Sequence, residues 1–432
     1  MRVCLFEDAQ VAALEPLALT RPAFELRCGM STLADKQHRL FESISLGVLV
    51  RPHLAPLYAR CHPAVTVNDF EWLRAGPTVF VNARWLPPLR AIHFNDPALF
   101  TGGPHLGILD GEIAYAVLTL DELENFTPEQ LDEHLADWKS SLPHRSASGR
   151  LIRYLWELVD LNPEQIASDF LAACGSQQTI GRPATLTLVG RSDWLCVDPT
   201  ARIDPFVVAD TTNGPVIIDR DAVVTSFTRL EGPCYVGPRT HLFGANIRGG
   251  TTLGPNCRIG GEVECSIIQG HANKYHDGFL GHSYLGEWIN LGAGTHTSDL
   301  RNDYGEVSVM SNGVRVATRR SKVGSFIGDH TKTGLGTLLN TGSNIGAFCQ
   351  LLPSGELLPR HVPSFCLVAH GRLTDTDELT TLFATAVRAM GRRGEEFTAA
   401  HEALFEDLFE MTKSSRRAAI REDQVRVLRR SA

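Results

Sequence analysis

The chain has 432 residues, more than one ordinary core accommodates, so two domains plus an appendage is the starting expectation. Its 43% hydrophobic and 21% charged content fits a globular protein, and a net charge of −8 excludes a general nucleic-acid binder. No stretch approaches the ~20 apolar residues of a membrane span.

Met1-Arg2-Val3-Cys4-Leu5-Phe6-Glu7-Asp8 turns acidic too soon for a signal peptide. Val3–Phe6, Leu46–Val50 and Val79–Val81 read as buried strands, with Leu186–Val189 as a further one. Helices are expected between them, including one that Asn162 caps and Pro163 opens, running to about Ala173. Strands alternating with helices point to an α/β layer over residues 1–190.

After Arg191 apolar residues recur every six positions. Val197 and Ile203 begin the series, which continues through Leu230, Val236, Leu242 and then Ile247, Leu253, Ile259. Phe279, Leu285, Leu291 follow, and Ile327, Thr333, Leu339, Ile345, Leu351 close it. A period of six belongs to a triangular solenoid with one inward residue per short face, expected over 193–371. Glycine follows the inward position at 237, 254, 260, 286, 292, 328 and 346, where it suits tight corners. From 372 to 432 helical spacing returns, with Leu379, Phe383, Val387 and Leu404, Leu408, Met411 as core-facing stripes. The basic Arg416–Arg430 end reads as a solvated terminus.

The ten cysteines are scattered without a C-x-x-C pair, as expected of reduced thiols in a cytoplasmic protein rather than a disulfide framework. His271, His276, His282 and His296 have no recognised metal-ligand spacing, so no metal site is expected from them.

Asn290–Thr295 reads NLGAGT, followed by Asp299-Leu300-Arg301, Gly313-x-Arg315, Arg319-Arg320-x-Lys322, Gly328-x-His330 and Lys332-Thr333-Gly334. This series resembles the bifunctional sugar-1-phosphate nucleotidylyltransferase/N-acetyltransferases, the archaeal members in particular. The resemblance implies that the solenoid is a left-handed parallel β-helix, forms a homotrimer and binds acetyl-CoA between subunits. Counted back from NLGAGT, the family's catalytic histidine falls on His276. His282 is its rival, because His282-Ser283-Tyr284-Leu285-Gly286 also resembles the family's H-x-x-Y-L-G with one residue deleted. Either imidazole would take the proton of an attacking amine. By the same resemblance Arg248 would hold a phosphate, Asn290 a sugar and Lys274 the charge lost where the family lysine is Ser266. Asp299-Leu300 stands where the family has an asparagine-tyrosine pair that contacts the sugar. Ala293 and Gly294 would face the oxyanion, with CoA running along rungs that include Lys332, Ser325–Thr333 and Ile345–Leu351.

Leu14-Glu15-Pro16-Leu17-Ala18-Leu19-Thr20-Arg21-Pro22 resembles the opening of the family's nucleotidyltransferase domain, and Leu19–Pro22 followed by Arg27-Cys28-Gly29 resembles a subgroup of sugar nucleotidyltransferases. The stretch before it, Glu7–Ala13, lacks the family's glycines, and Asn82 stands where the resemblance places an Mg²⁺-binding aspartate. Arg21, Arg27 and Lys36 are candidates for a substitute phosphate site, or ordinary surface charges. Three readings follow. The leading one is an acetyl-CoA-dependent N-acyltransferase acting on an amino-sugar phosphate or nucleotide-linked amino sugar. The alternatives are a nucleotidylyltransferase using Mg²⁺ to make an NDP-sugar, and a non-catalytic sugar-nucleotide-binding trimer. All take a small-molecule partner, with neither nucleic acid nor membrane.

Overall fold

The computed structural model describes residues 2–41, 45–88, 102–173, 184–353, 355, 357–376 and 379–431. These form two compact units: Met1–Leu14 with Arg21–Leu26 and Ser31–Tyr154, and Glu15–Thr20 with Arg27–Met30 and Leu155–Ala432. The expected border at 190 thus lies near 154, and the C-terminal helices are no separate body.

The first unit is an α/β layer. Its seven-stranded sheet runs in the order His144–Ser146, His105–Leu109, Glu112–Leu118, Thr78–Asn82, Arg2–Phe6, Ser45–Leu49, Thr66–Val67. The three expected strands lie side by side and parallel, with Phe6 opposite both Leu49 and Asn82. Cys4, Phe6, Phe80, Leu106 and Trp138 pack into one apolar cluster. The chain leaves the ends of two neighbouring strands at Phe6 and Asn82, the position where open α/β sheets gather their polar residues.

The second unit is the hexad solenoid. One face is a continuous parallel sheet of nine short strands, from Leu195–Val197 to His361–Val362. The other two carry the remaining rungs, so that His241–Ile247 and Arg258–Glu264 each turn from one face onto the next. Register advances by one coil of roughly 17 residues, as from Cys234 to Thr251 and Ile267 to Tyr284. It then jumps from Tyr284 to Phe326, because the chain leaves the coil and returns through the antiparallel hairpin Ser308–Ser311/Val314–Ala317. The hexad residues form the core, with one exception: Leu280 rather than Phe279 points inward.

The glycines after the inward positions answer a different need from the one expected. They are absent from the positive-φ positions; a Cβ on Gly254 would lie 2.0 Å from Gln269 O, and one on Gly260 equally close to Tyr275 O. Bare backbone is required because successive coils touch there. Several left-handed corners are instead taken by large residues: His271 (φ 51°), Trp288 (58°), His330 (61°), Phe348 (56°) and Phe365 (62°). Such residues avoid this region when isolated. Here their rings stack coil upon coil, with centroid separations of 4.2, 6.2, 4.5 and 5.2 Å. Leu379–Gly391 and Ala399–Met411 are helices that cover this stack, Phe405 lying 4.7 Å from Phe348 and Phe409 5.4 Å from Phe365. Their buried stripes are Leu382, Phe383, Ala386, Met390 and Leu404, Phe405, Leu408, whereas Val387 and Met411 are exposed.

The helix expected to start at Asn162 starts at Leu155 and contains Pro163. Asn162 is no cap; its buried amide accepts from Gly29 N–H and donates to Gly250 O. Among the described residues no helix is long and apolar enough to cross a membrane.

Candidate functional site

The solenoid brings its polar residues together at one corner, where the hairpin excursion begins and ends. Cys265 and His282 both sit there in left-handed conformation, at φ 43° and 46°. The amide of Cys265 donates to Gly249 O and that of His282 to Glu264 O, so each residue leans on the preceding coil. Asp299 lies 17 residues beyond His282, and its Oδ2 meets His282 Nδ1 at 2.7 Å. Val323 N–H donates to Asp299 O at 2.8 Å and closes the excursion. Burial alone would lower the His282 pKa, but hydrogen bonds to Asp299 and to the Cys265 side chain, reinforced by their charge, raise it to about 9. Asp299 is held below the usual carboxylate range: its burial works the other way, and the imidazole outweighs it. The pair is thus an imidazolium–carboxylate at neutral pH.

Beside it runs a ladder of alternating charge on the outer face. Arg229 contacts Asp210 and Glu231, and Arg248 contacts Glu264 at 3.0 Å, Glu262 at 3.3 Å and Glu231 at 3.9 Å. Lys322, from the hairpin root, reaches Glu264 at 3.8 Å. A cavity of about 440 Å³ opens along this face, lined by Asp210, Asn213, Arg229, Glu231, Gly249 and Cys265 among others.

The expected site residues divide sharply. His282 has an orienting carboxylate and a neighbouring cavity. His276 is exposed and meets Tyr275 edge-on at 5.0 Å; among the described residues no hydrogen bond orients its ring. Asp299, expected at the sugar, is committed to His282. Arg248, expected at a phosphate, is surrounded by three carboxylates. Lys274 does not replace the missing lysine's charge. It is buried and donates to Gly260 O at 2.7 Å and His276 O at 3.1 Å, and burial lowers its pKa to about 8. Lys332 is used alike, donating to Trp288 O and His330 O, its pKa also brought to about 8 by burial.

Asn290 accepts from Asn273 Nδ2 at 3.3 Å, and Asn273 in turn accepts from Arg393. In the Gly292-Ala293-Gly294 turn, Gly292 N–H donates to Thr333 Oγ1 and Gly294 N–H to Asp277 O; Ala293 supplies the remaining amide. Of the rungs expected to border CoA, Ser325–Ile327 and Ile345 are buried, with Phe326 packed against Trp156 at 6.2 Å. Sequence reasoning passed over Cys265, Glu262 and Glu264. The signal for Cys265 was its interval to His282, which equals that from His282 to Asp299.

The first unit carries a second polar cluster, past the strand ends at Phe6 and Asn82. Ala9–Leu14, in place of a glycine-rich loop, is a 3-10 helix whose start is held by Asp8 Oδ1 accepting from Gln10 N–H. The Arg84 side chain, wholly buried, donates to both oxygens of Asp8 at 2.8 and 2.7 Å and to Glu112 at 2.7 Å. Asn82 donates to Asp8 and Ile113 O while accepting from Arg84 N–H. Glu7 is likewise matched by Arg51 at 3.2 Å.

The residues at this position do not fit Mg²⁺. A guanidinium already neutralises the two carboxylates, and the Asn82 amide turns N–H toward them. Arg21 and Lys36 are buried rather than surface charges. Arg27 is engaged with the solenoid, its Nε donating to Gln269 O and its amide to Tyr284 OH.

The described chain thus combines an α/β layer with a six-residue solenoid that carries a corner histidine–aspartate pair. Residues 3–176 match the family model described as sugar nucleotidyl transferase, and part of the chain is similar to proteins named bifunctional sugar-1-phosphate nucleotidylyltransferase/acetyltransferase. It is 38% identical over 157 residues to the protein of that name from Sulfurisphaera tokodaii, covering 34% of this chain and 38% of the relative. It is 31% identical over 147 residues to the bifunctional protein GlmU of a Picosynechococcus species, covering 34% and 28% respectively. The chain therefore spans about a third of the length of the curated relatives it matches.

Proposed function

We propose that the solenoid transfers an acyl group from a CoA thioester to the amine of an amino-sugar phosphate or nucleotide-linked amino sugar, with His282 as the proton-transfer group. The observation that carries this reading is the 2.7 Å contact between His282 and Asp299, one coil from Cys265 and the charge-lined cavity that Cys265 borders. Such a pair orients the ring and leaves its other nitrogen to handle the proton exchanged in acyl transfer, as a base once the pH nears the imidazolium's own value of about 9. Acetyl-CoA is the proposed donor and a cytoplasmic homotrimer the proposed assembly. The relatives' printed names support the chemistry, and the free cysteines support a reducing compartment. The cavity wall presents Arg229 as well as carboxylates, which suits a substrate carrying both an amine and a phosphate. For the first unit the Arg84 cluster argues against metal-dependent nucleotidyl transfer.

The test is free-thiol release from acetyl-CoA across amino-sugar phosphates. Wild type should turn over only with acceptor, and His282→Ala should lose roughly 10²–10⁴-fold in rate. Full activity in His282→Ala, with loss in His276→Ala instead, would transfer the role to the exposed ring.

A further inference from the structure

Along one face of the solenoid His241, Arg258 and Asn273 stand in register, one per coil, beside the inward Leu242 and Ile259. Parallel rungs lie about 4.8 Å apart, so these three side chains are neighbours. Two further arginines reach the same place. Gly394, at φ 79°, turns the chain just past the Leu379–Gly391 helix, and Arg393 Nη2 donates to Asn273 Oδ1 at 2.7 Å. Arg239 lies at the adjoining corner, its carbonyl accepting from Arg258 Nη1 at 3.0 Å and its Nε donating to Asn256 Oδ1 at 3.1 Å.

Three guanidiniums thus gather on one face of a chain whose net charge is −8, and among the described residues none of them forms an ion pair with a carboxylate. The charge ladder is arranged differently, since Arg229 meets two carboxylates and Arg248 three. Arg258 also donates from Nη1 to Cys257 O at 2.8 Å. Its Nε and Nη2 have no protein partner among the described residues, nor do Nε and Nη1 of Arg393. Carbonyl and amide oxygens orient these forks without neutralising them. The uncompensated field shows on the imidazole: burial, then Arg258, Arg393 and Arg202, hold His241 below the usual histidine range. A guanidinium cannot relieve such crowding by losing its proton, whereas a bound anion relieves it directly.

We propose that Arg239, Arg258 and Arg393 together bind a phosphoryl group, either inorganic phosphate or the phosphate ester of a small molecule. Several forks converging on one position suit a tetrahedral dianion better than a carboxylate, which a single guanidinium satisfies. The site is built from other residues than the His282–Asp299 pair, and the inference does not depend on the acyl-transfer reading.

The experiment titrates the full chain with inorganic phosphate by calorimetry at constant ionic strength, with no acyl donor or amine acceptor present. Wild type should bind phosphate saturably in the millimolar range or below, and acetate should not displace it. Arg258→Gln and Arg393→Gln should each weaken binding roughly tenfold, the loss of one charge-assisted hydrogen bond. Arg258→Lys keeps the charge but not the fork and should weaken binding as well. Because Arg258 and Arg393 are half-buried, Arg239→Gln at an exposed position is the variant that leaves packing intact, and it too should weaken binding. Glucose 1-phosphate, which has no amine to acylate, separates the sources. Tighter binding than inorganic phosphate, lost in the same variants, supports an ester; weaker binding supports the free anion.

Absence of phosphate binding by the wild type, or unchanged affinity in all the arginine variants, would overturn the site. Acetate binding as tightly as phosphate would overturn its selectivity for a phosphoryl group. Failure of the thiol-release assay would sink the acyl-transfer reading and leave this titration as it is.

Discussion

The two polar clusters use similar groups to opposite ends. In the α/β unit, Arg84, Asp8, Glu112 and Asn82 come from separate strand ends and loops that converge, and each polar atom finds a protein partner. In the solenoid, each coil delivers one residue to a corner, so Cys265, His282 and Asp299 bond only to neighbours above and below, with a cavity beside them. Convergence matches the charges inside the cluster, although a cavity of about 200 Å³ lined by Asp8, Asn82 and Glu112 opens beside it too, whereas stacking pairs residues from coil to coil. The difference explains why the carboxylates of the α/β unit already have their counter-charge in Arg84.

The largest test of the converged cluster is Arg84→Met. Leaving Asp8 and Glu112 without their buried partner should cost about 3–5 kcal/mol, read by urea unfolding of the α/β unit. A loss below 1 kcal/mol would mean that water already reaches the carboxylates. Lys274→Met sharpens the contrast within the solenoid. It should destabilise by about 1–3 kcal/mol, because the Gly260 and His276 carbonyls lose their donor. A phosphate-binding lysine would instead weaken substrate affinity and leave the melting temperature unchanged.

A smaller effect is expected from pH. His282 is raised above its unfolded value by Asp299 and Cys265. The stability it adds over His282→Ala should therefore be full below pH 6.5 and disappear as pH rises through about 9. An unchanged melting-temperature difference between pH 6 and 10 would contradict the ion pair. The smallest effect is a null shift: millimolar Mg²⁺ should leave the melting temperature of the wild type where it is, since Arg84 already occupies the carboxylates. A clear upward shift would show a metal site that these residues do not account for.

Much of the architecture was legible in the sequence. Nearly every residue named by the period of six lies in the solenoid core, because one inward side chain per face is a geometric necessity. The exception at Leu280 arises where one step between inward residues is five instead of six. The glycine positions were legible too, although their cause is a backbone neighbour rather than a corner. The site was harder. Resemblance offered His282 as the rival of His276, but gave no sign that Asp299 would bond to it, since family position assigned that carboxylate to the sugar. Lys274 and Arg248 were misread for one reason: formal charge in a sequence does not tell whether a side chain points at solvent, at a carbonyl or at three glutamates. Arg84 was missed because a single arginine after a strand has no pattern to announce it.

The excursion that carries the hairpin departs at Asp299 and returns at Val323, the two residues joined by a backbone hydrogen bond, while Arg320 ties the return limb to Asp160 on the Leu155–Ala173 helix. The carboxylate that steadies His282 is therefore also the hinge post of an arm whose tip exposes Tyr304 and Val314. One residue thus does two jobs, its side chain pairing with the imidazole and its carbonyl anchoring the returning limb.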